Sequence, residues 1–269
     1  MKITKVLSAV AICAGSLAAL SSCSKEAEQV TAKDEISADV ISKIQQLGFT
    51  TKDAQKVEGG YIVEGDIMLT DEALNNKPDY KLMRIAEGEQ YRTNNLVSVG
   101  SGRTISIRVS TSLPSAYVTA TDELIRRYNA QNLLIRFTRV TSGGNIVLNP
   151  APAGSGYLAS AGFPSGGNPY GQVLVNNGAI GTANASTYIA TILAHEVGHC
   201  IGFRHTDYMN RAYSCGGAYT NEGASTVGAV HIPGTPTTAD PNSWMLACIG
   251  SGGNRPFNTN DVTALRYIY

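Results

Sequence analysis

Eleven consecutive residues, HEVGHCIGFRH from His195 to His205, hold three of the four histidines in this chain and one glutamate. His195 and His199 are four apart. On a helix they share a face with their Cβ atoms about 5–6 Å apart, close enough for both imidazoles to reach one ion. Glu196 is rotated roughly 100° from His195, which puts it beside the ion in the position of a general base. Gly202 suits a left-handed turn that ends the helix and brings His205 back to the same ion. Three neutral imidazoles leave the full 2+ charge on one zinc ion per chain, with one coordination position open, as in catalytic sites. A zinc ion so held lowers the pKa of its bound water to about 7 and polarises a carbonyl, while Glu196 takes the proton and passes it to the leaving amine. Peptide hydrolysis is the expected reaction.

The motif needs elements to position it. Ser186 to Gly202 reads as the helix that carries it. Ahead of that helix, Thr104–Val109 alternates in period two as a strand, and Pro114 opens a helix with Val118, Leu124, Ile125 and Tyr128 on one face. Leu133–Val140 and Asn145–Leu148 are further strands, and Gly171–Asn176 reads as an edge strand beside a cleft, to which an extended peptide could add. Pro/Gly/Thr-rich loops follow to Trp244, and Asn260–Tyr269 forms a last helix with Asp261 in its first turn. Strands alternating with two long helices indicate an α/β class domain of the α+β type.

HEVGHCIGFRH matches the extended zinc motif of the metzincin metallopeptidases. Ser243-Trp244-Met245, forty residues on, looks like their Met-turn, with Met245 as a hydrophobic floor under the metal. HEVGHCIGFRHTD, with the order of strands and helices before it, is most similar to the dual-action HEIGH metallopeptidases of bacteria. The resemblance covers residues 100–269 and implies a twisted mixed sheet over the active-site helix, followed by a smaller C-terminal subdomain. Thr206 matches neither the glutamate of astacins nor the aspartate of adamalysins at that place. Ala247 stands where astacins have a metal-binding tyrosine, so no tyrosine switch is expected.

Charge divides the chain. Ser24–Val99 carries 23 charged residues in 76 positions, net −5, and Gly100 onward carries 17 in 170, net +3. The expected organisation is a signal peptide at 1–22, a small N-terminal propeptide-like segment at 23–99 and the catalytic domain at 100–269. Within the second part, Asp39–Leu47 has helical spacing and ends at Gly48. GYIVEGDIMLT, Gly60–Thr70, resembles the FxGDI segment of astacin propeptides, with Val63 in place of the phenylalanine. That resemblance implies that the Asp66 carboxylate fills the open zinc position. The same residues also read as a β-hairpin with Glu-Gly-Asp at its turn. After Leu69 the chain is polar and linker-like through Asn95, and cleavage after Arg84, Arg92 or Arg103 would free the catalytic domain.

Lys2, Lys5 and the apolar run Val6–Leu20 have signal-peptide form. Leu20-Ser21-Ser22-Cys23 resembles the lipobox of bacterial lipoproteins, which implies lipidation of Cys23 and anchoring at the bacterial cell envelope, at the outer membrane or cell surface. An ordinary signal peptide carrying a cysteine is the other reading. Formal net charge is zero, so no field favours nucleic acid as a partner; the partners expected are protein or peptide substrates and the lipid anchor. Cys200 projects about 140° from His195, on the helix face away from the metal, as a buried free thiol. Cys215–Cys248 is then the favoured bridge, with other pairings open. His231 is either structural or part of a substrate pocket. Tyr170 and Trp244 either shape the cleft or pack. Two other functions stay in view: a surface binding lipoprotein that keeps fold and metal without turnover, and hydrolysis of a non-peptide amide.

Overall fold

The computed structural model describes residues 35–75, 90–225 and 227–269, all within the unit 34–269. The signal peptide, Cys23 and Arg84 lie outside the described residues. In order come α1 (Ala38–Gln46), β1 (Gln55–Val57), β2 (Gly60–Val63), β3 (Ile67–Thr70), α2 (Asp71–Asn75), β4 (Tyr91–Arg92), β5 (Arg103–Val109) and α3 (Ser115–Asn129). Then follow β6 (Ile135–Val140), β7 (Ile146–Pro150), β8 (Ala159–Ala161), β9 (Gln172–Val175), α4 (Asn177–Ile180), α5 (Ser186–Cys200), α6 (Ala212–Cys215), β10 (Val230–His231) and α7 (Thr259–Ile268).

Period-two alternation decides which way the sheet faces. Ile105 and Ile107 of β5, Ile135 and Phe137 of β6, Ile146 and Leu148 of β7, and Val173 and Val175 of β9 are all buried on the side of α3 and α5. Their neighbours Thr104, Arg136 and Thr138 are exposed. Each such apolar side chain contributes about 1.5–3 kcal/mol by leaving water. The eight strands run in the order β1-β2-β3-β8-β9-β7-β5-β6. β5, β6, β7 and β9 are parallel, β8 is antiparallel to β9, and the hairpin β2–β3 joins through a parallel pairing of Ile67 with Ala161. The sheet is therefore mixed, as expected.

Three local expectations need correction. The strand expected at Gly171–Asn176 is not an edge: β9 has β7 on one side and β8 on the other. Val173 and Val175 are buried in the main core, and Leu174 packs on the opposite face against the cluster of Ile62, Met68 and Tyr157. The buried face of α3 is Tyr117, Ala120, Leu124 and Tyr128, and Val118 and Ile125 are only partly covered. Tyr117 and Tyr128 carry that face because their hydroxyls have carbonyl partners, Gly181 and Ala194. The stretch expected to be a linker includes Gln90, Tyr91 and Thr93, which are buried. β4 pairs with β10, and the Gln90 amide donates to Ser243 Oγ (3.1 Å) and Asp261 Oδ1 (2.7 Å). Polar composition concealed polar groups that are buried and hydrogen-bonded within the fold.

α5 is buried along its length from Tyr188 to Cys200, as a helix with apolar residues on all sides should be. The chain after it covers the side away from the sheet. Asp261 caps α7 in a capping box with Asn258 and also accepts the backbone N–H of Trp244 at 3.2 Å, joining the last helix to the Ser243–Met245 turn. That turn lies directly against Gly198. A Cβ there would stand 2.5 Å from Met245 Sδ and 3.2 Å from Trp244 Nε1.

Two outcomes follow from this packing. Gly198→Ala forces Met245 from its seat, which should cost about 1–3 kcal/mol, read as a lower thermal midpoint; an unchanged midpoint would contradict the contact. Arg127 joins α3 to α5 and the late chain, donating to Thr191 Oγ1, Asn254 Oδ1 and Glu123 Oε1. Hydrogen bonds from Arg126, and then Arg127, hold the Glu123 carboxyl down at about 2 against the opposing effect of burial. A depressed carboxylate stabilises the fold above its unfolded value and loses that effect as pH falls toward the folded one. The gap in thermal midpoint between the parent chain and Glu123→Gln should therefore close as pH falls from about 4.5 to about 2. A gap independent of pH would count against it.

Candidate metal centre

α5 and the turn at its end bring the three histidines together. Gly202, at φ +109°, reverses the chain, and a Cβ there would lie 2.7 Å from Leu96 Cδ2. His205 thereby returns to the helix. His199 Nε2 is 3.1 Å from His195 Nε2 and 3.2 Å from His205 Nε2. Asp66 Oδ2 is 3.0 Å from His205 Nε2 and 3.6 Å from His195 Nε2. Among the described residues, these four form the group whose ligand atoms all lie within 4.8 Å of one another, and all four are buried.

The far side of each ring is already committed. His195 Nδ1 donates to the carbonyl of Trp244 (2.9 Å), His199 Nδ1 to that of Phe203 (2.8 Å) and His205 Nδ1 to Glu222 Oε1 (2.8 Å). With the proton on Nδ1, each Nε2 presents a lone pair. Three lone pairs and a carboxylate oxygen facing one another at hydrogen-bond range repel unless a cation lies among them. Four ligands at zinc distances in a tetrahedron stand about 3.3 Å apart, and the four separations above, 3.0–3.6 Å, bracket that edge. The donor set fits a divalent metal of the zinc type.

Protonation follows the same geometry. Burial, and then the neighbouring His195 and His205, push His199 well below its ordinary value, so it stays neutral. Burial would depress His205 too, but the Asp66 and Glu222 carboxylates outweigh it and hold the ring well above its ordinary value. Burial works to raise Asp66, and the facing imidazoles reverse it. A proton on His205 thus does in part what a bound cation does in full. Glu196 is buried, and its Oε2 has no hydrogen-bond partner among the described residues. Burial, and after it the Asp66 carboxylate, raise the Glu196 carboxyl well above the usual range. A cavity of about 250 Å³ opens beside it, with Tyr157, Ile192, His195, Leu246 and Arg211 among its lining.

The hairpin read at Gly60–Thr70 is present, and its turn places the Asp66 carboxylate among the three histidines. β2 and β3 pair in register from Gly60 opposite Thr70 to Val63 opposite Ile67. The turn Glu64–Asp66 carries the aspartate into the donor group, and Ala161 N–H donates to the Asp66 carbonyl at 3.0 Å. Met245 is fully buried under α5, and its carbonyl accepts the N–H of Thr206, the residue after the third histidine. Cys215 and Cys248 are joined, and Cys200 is a buried thiol. His231 lies outside the donor group, against Tyr91 and with Nε2 3.1 Å from Thr235 Oγ1. Trp244 lines the cavity, and the Tyr170 ring covers Gly162.

Glu222, Arg204, Arg211 and Glu64 had no part in the motif reading. A signal existed for two of them. Glu222 is the one charged residue between Arg211 and Asp240, and Arg204 stands among Ile201, Phe203 and the last ligand, where a buried cation needs partners.

Comparisons with known proteins place this geometry. No curated protein matches the chain. Among solved structures it is similar to myroilysin, at 15% identity and a TM-score of 0.40, over 63% of this chain and 81% of that one. The model of the dual-action HEIGH metallopeptidases matches residues 61–269, from the hairpin to the last residue. A match of that extent, with the histidine group at its centre, means that the chain belongs to the dual-action HEIGH metallopeptidase family.

Proposed function

We propose that this metallopeptidase is a zinc-dependent endopeptidase, latent as synthesised because Asp66 fills the fourth corner of the donor set. The observation that carries the reading is the convergence of three Nε2 atoms, each with its Nδ1 engaged, on one carboxylate oxygen of the N-terminal hairpin. His195, His199 and His205 would hold the ion. When bound, it would acidify a water molecule and polarise the scissile carbonyl. Glu196, beside that position and without a partner at Oε2 among the described residues, would accept the proton and return it to the leaving nitrogen. Removal of the hairpin would take Asp66 from the fourth corner and leave it open to water and substrate.

The hairpin also occupies backbone groups that a peptide could use. Ala161 N–H on β8 now serves the Asp66 carbonyl. Once free, it could pair with the main chain of an extended substrate, which favours peptides over small amides. Arg92 lies in β4 and Arg103 in β5, both paired within the fold. A cut between Asn75 and Gln90 keeps the Gln90 contacts to Ser243 and Asp261, and Arg84 falls in that interval. The Cys23 motif supports export and lipid anchoring at the bacterial envelope, and such a cut would release the catalytic part from its anchor.

Glu196→Ala should retain one zinc per chain and lose at least about 10²-fold in hydrolysis of a protein substrate; equal activity would sink the mechanism. A chelator should abolish the parent activity, and zinc should restore it. Asp66→Ala should raise the activity of the uncut chain above the parent's but below that of the cut chain, because the hairpin backbone still lies along β8; an uncut variant as inert as the parent would contradict a block by the Asp66 carboxylate. The observation that Asp66 closes the donor set also suits a binding lipoprotein without turnover. That reading requires the processed, zinc-loaded chain to be inert.

A further inference from the structure

Glu64 has no part in the donor group or the hydrolytic roles, yet its side chain is fully enclosed. Its Oε2 lies 3.3 Å from Nη2 of Arg204, which is itself enclosed. Arg204 also gives Nη1 to the carbonyls of Ala224 (2.8 Å) and Gly228 (3.3 Å), with its guanidinium 5.5 Å from the Tyr208 ring centre. Arg211 lies over the same turn. Its Nη2 would stand 3.0 Å from a Cβ on Gly65, and its Nη1 is 3.2 Å from Glu222 Oε1. Arg204 is therefore held against a carboxylate that belongs to the hairpin and not to the catalytic part of the chain, and Arg211 lies over the same turn and lines one groove with Glu64.

The charges show what the site lacks without that carboxylate. With the hairpin present, Glu64 and Glu222 face Arg204, while Glu222, Asp66, Glu64 and Asp207 act on Arg211. With it gone, Glu222 is the carboxylate left against Arg204 and is shared with Arg211 and His205, with Asp207 remaining on the Arg211 side. A buried guanidinium left short of counter-charge is unfavourable, and its planar fork of donors suits a carboxylate better than any other side chain. Glu64 arrives there two residues before Asp66, on chain that lies against β8, so a peptide in the same cleft would present a side chain to the same arginines. A groove of about 280 Å³ with Thr50, Lys52, Glu64, Gly65 and Arg211 in its lining adjoins the turn.

We propose that Arg204 and Arg211 form a carboxylate-binding subsite, filled in this chain by Glu64 and in the processed enzyme by an acidic side chain of the substrate. This rests on the reading of the hairpin as a removable inhibitor. Glu64 is then a substrate mimic as well as a latch, and the peptidase is selective for peptides with an acidic residue at one fixed distance from the scissile bond.

Two measurements test it. In the full chain, Glu64→Ala leaves a carboxylate-sized hole beside Arg204. Its thermal midpoint should rise in sodium propionate and not in propionamide at matched ionic strength, while the parent chain responds alike to both. A folded variant that does not distinguish the two overturns the subsite. In the second, the parent chain after limited trypsin treatment, which does not depend on the variant folding, is given peptide pairs that differ only in Glu or Gln at one scanned position. At one position Glu should raise kcat/KM at least tenfold, mainly through KM, and Arg211→Gln should bring that ratio below threefold. Equal kcat/KM at every position overturns the substrate assignment. If zinc is retained and neither peptide of any pair is cut, the peptidase reading fails and the substrate assignment with it; the propionate result separates that failure from failure of the carboxylate site.

Discussion

Three imidazole nitrogens aimed at one point, with a carboxylate oxygen beside them, form an arrangement that a cation must hold together. Each ring is fixed from behind, by the carbonyls of Trp244 and Phe203 and by Glu222. Those partners set the tautomer and aim the lone pairs. Much of the fold serves to keep them where they are. Trp244 is placed by Asp261, Asp261 by Asn258 and Gln90, and Phe203 by the reversal at Gly202. Two of the three supports, Trp244 and Phe203, are residues of the main core, and the third, Glu222, is a buried loop residue.

The same constraint explains why a helix with a glycine at its centre is used. Glycine inside a helix costs up to about 1 kcal/mol relative to alanine. At Gly198 that cost is offset by the approach of Met245 and Trp244, which lets the Trp244 carbonyl reach His195. On the opposite side, the hairpin extends the sheet past β8 and delivers Glu64 and Asp66 side by side, one to an arginine and the other to the histidines. One turn thus meets two positively biased places.

Legibility in the sequence followed the range of the interaction. The histidine spacing, the glycine break and the strand alternation of β5 and β6 are local, and they were readable as such. The edge position expected for Gly171–Asn176 was wrong because a short apolar run marks a strand and says nothing about which strands lie beside it. Gln90–Thr93 looked like linker because paired buried polar groups have the composition of exposed ones. The Gly60–Thr70 run was ambiguous between hairpin and switch; the hairpin is there, and its turn is what brings Asp66 to the histidines, a placement that sequence spacing could not give. Glu222 and Arg204 act through partners 17 and 140 residues away, a distance that spacing alone cannot bridge.

The central claim concerns what lies among four side chains, and anomalous diffraction at the zinc edge from crystals of the full chain tests it directly. The account predicts one ion at about 2.0–2.2 Å from the Nε2 atoms of His195, His199 and His205 and from Asp66 Oδ2. An ion elsewhere, or one held by the three histidines with Asp66 turned away, would contradict it.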